Sequence, residues 1–273
     1  MMEIMFSQSS VLIVSGLFLF MVLAMEVGFR IGLRKQAKAT EAITQANAVL
    51  VSMLGLLALL LAFTFSAALQ RYEDRSQTVV AEANAIGTTY LRARLLPGGL
   101  ADEVQALLRQ YLYVRIQEGR VDATEPTLHE SLLHQAKLLQ AQLWSHGAAE
   151  LDKSVVTSGL FIQSLNELID TSTTRNAALN RHVPEIVLLL MFATIVLTTA
   201  TLGYASGIAG HRVTLAAFVL VMLIALIVYL IIDLDRPRRG SIQVSHESML
   251  SLQQAIGTAQ PDRPPGAPQA SPR

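Results

Sequence analysis

Four runs of the chain carry no charged side chain. Ile4–Met25 lies between Glu3 and Glu26, Ala42–Gln70 between Glu41 and Arg71, Ile186–His211 between Glu185 and Arg212, and Val213–Ile232 between Arg212 and Asp233. A helix of roughly 20 mostly apolar residues crosses a bilayer core. The pattern therefore predicts spans near residues 10–27, 46–69, 186–208 and 213–232. The first run lacks a basic start and a clear small-x-small cleavage site, so it reads as a retained anchor and not as a signal peptide.

Between the second and third spans the period is helical. Tyr72, Val79, Ala83, Ile86 and Tyr90 recur at helical spacing, which continues span two as far as Leu96-Pro97-Gly98-Gly99. Leu100, Val104, Leu107, Leu108 and Tyr111 open a second helix, expected to end around Gly119. Thr127-Leu128-His129-Glu130 fits a capping box, with Leu132, Ala136, Leu139 and Leu143 as the stripe behind it and His146-Gly147 as its break. Leu151, Val155, Ser158, Ile162, Leu165 and Ile169 make the longest stripe. It should fade before Pro184, because the residue before a proline avoids the α region. Pro184 suits the first turn of the third span. The proline-rich tail from about Gly257 reads as disordered.

The expected architecture is all-α: a polytopic membrane protein with four transmembrane helices in two hairpins around one helical extramembrane domain. The first hairpin takes residues 1–70, the helical domain 71–183, the second hairpin 184–235, and a polar C-terminal segment 236–273.

Composition narrows the function. Of 273 residues, 52% are hydrophobic and only 15% charged, with the deficit concentrated in the four runs. A net charge of zero gives no basic surplus for nucleic acid. The absence of cysteine removes disulfides, thiolate metal sites and cysteine nucleophiles. No phosphate-binding glycine loop or metal-ligand spacing occurs, and the six histidines are scattered. His134 sits on a polar helix face. No catalytic residue, metal site or cofactor is therefore expected; the predicted surroundings are the lipid bilayer.

Charge leaves the orientation open. Arg30, Arg34, Lys35, Lys38 and Arg212 lie at the hairpin tips. Arg71, Arg75, Arg175, Arg181, Arg236, Arg238 and Arg239 lie near the opposite span ends. The positive-inside rule favours the tips by density and the other side by total.

A family resemblance enters at the end of span two. Ala62-Phe63-Thr64-Phe65-Ser66 is followed by Gln70-Arg71-Tyr72-Glu73-Asp74-Arg75, then Glu82-Ala83-Asn84-Ala85-Ile86-Gly87-Thr88 and Tyr90-Leu91-Arg92. After span four comes Asp235-Arg236-Pro237-Arg238-Arg239-Gly240, a D-x-P-x-x-G segment. The chain resembles the bacterial bestrophin-like membrane proteins from span one to about residue 256; Glu82, Asn84, Asp235, Pro237 and Gly240 carry the motif. The true bestrophins, pentameric anion channels, are more distant. Their bacterial members place a Phe eight residues before an Arg-Trp-Trp run. Phe63 and Arg71 keep that spacing, while Tyr72 and Glu73 replace the tryptophans. The resemblance implies a homo-oligomer, pentameric by analogy, conducting ions (anions) through an apolar neck made by the second helix of each copy. Carried over by position, Gly55, Leu59 and Phe63 would line it, with Arg71 at the exit or the membrane interface. The resemblance also places the termini and the helical domain in the cytoplasm, with the protein in the cell membrane. The alternative is a non-conducting scaffold or sensor whose helical domain binds a partner.

Each of these residues has a plainer reading. Leu59 and Phe63 can face lipid or a neighbouring helix, the default for apolar side chains in a span. Glu26 and Arg30 can anchor span one at the interface instead of gating. Gly203 and Gly207 form a GxxxG pattern for close helix packing, within one subunit or between subunits. Glu82, Asn84 and Thr88 can satisfy one another between helices instead of meeting an ion. Asp233 and Asp235 are too few for a calcium site and read as a solvated helix end. Ser52, Thr64 and Ser66 give span two a thin polar component.

Overall fold

The computed structural model describes residues 9–35, 40–122, 124–151, 155–212, 215–236 and 242–258. Among them the chain forms helices and no strand: α1 (Ser10–Arg34), α2 (Thr40–Ala93), α3 (Gly99–Arg120), α4 (Pro126–Leu151), α5 (Val155–Leu179), α6 (Glu185–Ile208), α7 (Leu215–Asp235) and α8 (Glu247–Thr258). α1, α2, α6 and α7 are each long and apolar enough to cross a bilayer. Two units emerge. One comprises residues 1–74 and 180–243, the other residues 75–179 and 244–273.

In the first unit α1 and α6 pack backbone against backbone. A Cβ at Gly28 would run into the Ala200 carbonyl oxygen, and one at Gly32 into that of Tyr204. A Cβ at Gly203 would strike the Met25 carbonyl oxygen, and one at Gly207 that of Phe29 while standing 2.9 Å from the Gly32 Cα. The GxxxG of α6 thus meets a second one, Gly28 and Gly32, on α1 of the same chain. Lipid tails are as apolar as leucine, so such helices associate by close contact and not by hydrophobic exclusion. Met21, Met25, Leu57, Leu61, Met191, Ile195, Val221 and Val228 fill the rest of this core. The rings of Phe18 and Phe218 meet edge to face, their centroids 5.8 Å apart.

The end of α7 is not solvated, contrary to expectation. Asp235 is buried, and its carboxylate accepts from the Val183 amide at 3.1 and 3.2 Å. Asp233 is also buried and accepts from the Ile242 amide at 2.9 Å. Each acid supplies an acceptor to a backbone N–H outside any helix, which would otherwise be costly to bury. Pro237 and Gly240 lie outside the described residues.

In the second unit, two expected boundaries move. α4 begins at Pro126, not at a capping Thr127; the fixed φ of proline suits the first helical position. α4 also runs through His146-Gly147 to Leu151. Gly147 does not end the helix; it makes room, since a Cβ there would stand 3.1 Å from Phe161 and 3.2 Å from Ile162 of α5. The buried stripe of α5 runs through Ser158, Phe161, Leu165, Leu168, Ser172 and Arg175, leaving Ile162 and Ile169 at its edge. α8 is a helix the polar C-terminal composition did not announce. Met249 and Ile256 are buried, and the tail predicted to be disordered continues at 259–273 outside the described residues.

Replacing Gly203 by Val should push α1 and α6 apart. Overpacking of a tight contact costs about 1–3 kcal/mol. The Tm of the purified protein in mild detergent should fall, whereas Gly16→Ala, where a Cβ meets nothing within 4 Å, should leave it unchanged or raise it.

Candidate functional site

α2 is continuous over 54 residues, and in each unit one of its faces is exposed among the described residues. In the membrane unit Leu57, Leu61, Thr64 and Ala68 turn inward, while Gly55, Leu59, Phe63, Ser66, Gln70 and Asp74 are exposed. Leu59 is 54% and Phe63 68% accessible. Phe65 behaves differently. It is half-buried in an apolar groove of about 520 Å³ beside Leu61 and, from α7, Leu220 and Ile224. Thr64 donates to the Leu60 carbonyl at 2.7 Å and so spends its hydroxyl within the helix. Arg71 is half-buried, with Nη1 donating to the Ala67 carbonyl at 2.9 Å. Glu26 and Arg30 pair at 2.7 Å but are exposed, where an ion pair adds little.

In the second unit the same helix continues the spacing: Gln77, Asn84, Thr88 and Leu91 are exposed. Glu82 is not with them. It points to the opposite side and is fully buried. Its Oε1 accepts from Arg115 Nε at 2.6 Å and from the Tyr111 hydroxyl at 3.0 Å. Its Oε2 accepts from Arg115 Nη2 at 3.0 Å and from Arg175 Nη1 at 2.7 Å. Glu118 lies 3.5 Å from both guanidiniums and 3.3 Å from His129 Nδ1. Gln140 donates to Tyr111 at 3.1 Å and to Ser172 at 2.9 Å. Glu82 and Asn84 are adjacent in the motif, yet the fold sends them to opposite faces.

Burial pushes the Glu82 carboxyl up, but the facing charges and hydrogen bonds of Arg115 and Arg175 outweigh it and hold the group below the usual carboxylate range. Burial and the Glu82 charge push the Tyr111 phenol up. Two acids and two arginines balance. Each acid faces both arginines, the pattern of a paired polar core. No group of three potential metal ligands occurs among the described residues.

Arg115, Glu118 and Gln140 are not singled out by the sequence, which offers Tyr111 only as part of an apolar stripe and Arg175 only as a basic residue near a span end. Their signal was periodicity: Arg115 and Glu118 extend the buried row Val104, Leu108, Tyr111, and Arg175 extends that of Leu168 and Ser172. A charge in register with an apolar stripe marks a buried ion pair.

The profile of the Bestrophin-like domain matches residues 15–249. The chain belongs to the bestrophin-like family. Solved structures agree on the fold. A point mutant of a bacterial bestrophin homologue from Klebsiella pneumoniae superposes with a TM-score of 0.62 at 17% identity, covering 88% of this chain and 97% of that one. A second mutant of that homologue gives 0.62 at 15%, covering 89% and 96%. A structure described only as a membrane protein gives 0.62 at 15%, covering 90% and 96%. Among curated proteins none matches significantly.

Glu82→Gln should leave two buried guanidiniums short of a counter-charge. Breaking a buried pair by removing one partner costs about 3–5 kcal/mol. Chemical denaturation should show that loss, and Asn84→Ala, on the exposed face, should not. The pH dependence follows from the lowered carboxyl. Its stabilising contribution is present above the unfolded value of about 4.3 and is lost as pH falls through the lower folded value. Wild-type stability should therefore decline below about pH 4, and the Glu82→Gln variant should lack that part of the decline.

Proposed function

We propose that this protein forms a homo-oligomeric ion-conducting pore in the cell membrane, with the uncovered face of α2 from each copy turned toward a common axis. The observation that carries this reading is the face itself. It presents Gly55, Leu59 and Phe63, then Ser66, Gln70 and Asp74 at helical spacing, all exposed among the described residues. A purely lipid-facing stripe has no need of the polar half. Rings of Leu59 and Phe63 would make a narrow apolar neck that excludes water and holds the resting pore nearly closed. Arg71 stands at its exit. Four spans in one chain leave little room for an aqueous path, so this reading calls for several copies; five is the number by family analogy. Family membership and the bestrophin fold support the reading. The termini and the helical domain are assigned to the cytoplasm on the same family grounds.

Bilayer recording of reconstituted protein tests the neck. Phe63→Ala removes a bulky uncovered ring and should raise conductance or open probability. Phe65→Ala, about 200° further round the helix and packed against α7, should not. Light scattering in mild detergent should show an oligomer; a monodisperse monomer would remove the pore. Absence of current from a folded oligomer, wild type and Phe63→Ala alike, would favour a non-conducting scaffold.

Orientation is tested independently. The chain has no cysteine of its own, so single cysteines report cleanly. In intact cells an impermeant thiol reagent should label Lys35→Cys and spare Gln253→Cys. The reverse pattern would invert the topology.

A further inference from the structure

We propose that α8 is an acid-released strap, held on the helical domain by neutral His246 and freed when that imidazole takes up a proton. α8 is a helix of 12 residues seated by Met249 and Ile256, with Leu252 lying 3.2 Å from where a Cβ of Gly87 on α2 would stand. Its first turn is fixed at the Ser245 hydroxyl, which accepts from the Glu247 amide at 3.2 Å. His246 precedes it and is half-buried, with Nε2 2.9 Å from the Gly119 carbonyl oxygen. A carbonyl only accepts, so Nε2 carries the proton and Nδ1 is left with a lone pair. Nδ1 is buried and has no hydrogen-bond partner among the described residues.

The second observation is how tightly the ring is received. A Cβ on Gly119 would stand 2.7 Å from His246 Cε1 and Nε2 and 3.0 Å from Arg175 Nη2. Only glycine leaves room for the imidazole between the end of α3 and the Arg175 guanidinium. Protonation would therefore place a second donor at a buried nitrogen that has no hydrogen-bond partner among the described residues, beside the positive charge of Arg175. A buried donor left unsatisfied forfeits its hydration, so the protonated ring is better off in water.

The charged groups around the ring do not all act alike. Arg175 of α5 and Arg120 of α3 oppose its protonation, while Glu118 of α3 and the Gly119 carbonyl favour it. Glu118 is already held by Arg115, Arg175 and His129. Glu247, next in the chain, is exposed. Burial comes first and Arg175 next, and together they hold the imidazole below its ordinary value. The sign follows. With a lowered folded value, the undocked state binds the proton more readily, so docking weakens as pH falls from the ordinary histidine value of about 6.5 toward the docked one. This device does not depend on whether the protein conducts.

A nitroxide on Gln253→Cys, an exposed position of α8, reads the strap in the full-length protein in detergent. Lowering the pH from 7.5 to 5 should convert the label from restricted to mobile, reversibly, with a midpoint below about 6.5. His246→Gln, which can still donate to the Gly119 carbonyl but does not titrate, should remain restricted throughout. His129→Gln should keep the wild-type transition. Unchanged mobility across this range in the parent, or an equal transition in His246→Gln, overturns the proposal. Should His246→Gln prove mobile already at pH 7.5, His129→Gln decides. Loss of the transition there would assign the switch to His129 and overturn the proposal; retention would uphold it.

Discussion

The helical domain depends on one arrangement: Glu82, alone on its helix in facing inward with a charge of its sign, is clasped by Arg115 of α3 and Arg175 of α5. Three helices separated in sequence thereby share one carboxylate. Such a core is a poor way to gain stability, because the desolvation of each charge offsets most of the attraction. It is an effective way to fix register. A one-residue slip of α3 or α5 would carry its arginine about 100° around the helix and leave a bare charge buried. Tyr111, Gln140 and Ser172 extend the same logic: Tyr111 donates to Glu82, and Gln140 donates to both Tyr111 and Ser172.

The membrane unit is held by an opposite means. Along one seam, glycines of α1 stand against backbone of α6 and glycines of α6 against backbone of α1. Polarity within the bilayer is expensive and apolar side chains confer no preference for protein over lipid, so shape must supply specificity. A polar core and a glycine seam are thus two solutions to one problem, set by whether the solvent is water or hydrocarbon.

Much of this was legible in the sequence. Charge-free runs located the four spans, and the period of Tyr72, Val79, Ile86 and Tyr90 matches the continuation of α2 to Ala93. The polar contacts were harder. Asp233 and Asp235 looked like a wet helix end because their acceptors serve amides near Val183 and Ile242, which sequence proximity does not reveal. Gly147 looked like a stop because a glycine that ends a helix and one that admits a neighbour are the same residue; the difference is Phe161, met only in the fold. Glu82 and Asn84 were grouped by a motif, yet two residues correspond to about 200° of helix. The uncovered face with Leu59 and Phe63 was marked by resemblance; its exposure is visible only once the packing of Leu57 and Leu61 is known.

The glycine seam also has a timetable. Gly28 leaves the ribosome about 175 residues ahead of Gly203, its counterpart's neighbour in the seam. At roughly 5–20 residues per second, α1 waits on the order of ten seconds or more for α6. During that interval it sits in lipid with its close-approach surface vacant. Premature pairing with any other small-residue helix is the hazard it faces. The order of synthesis therefore makes the first span the segment most exposed to mispairing, and the third span the event that ends the risk.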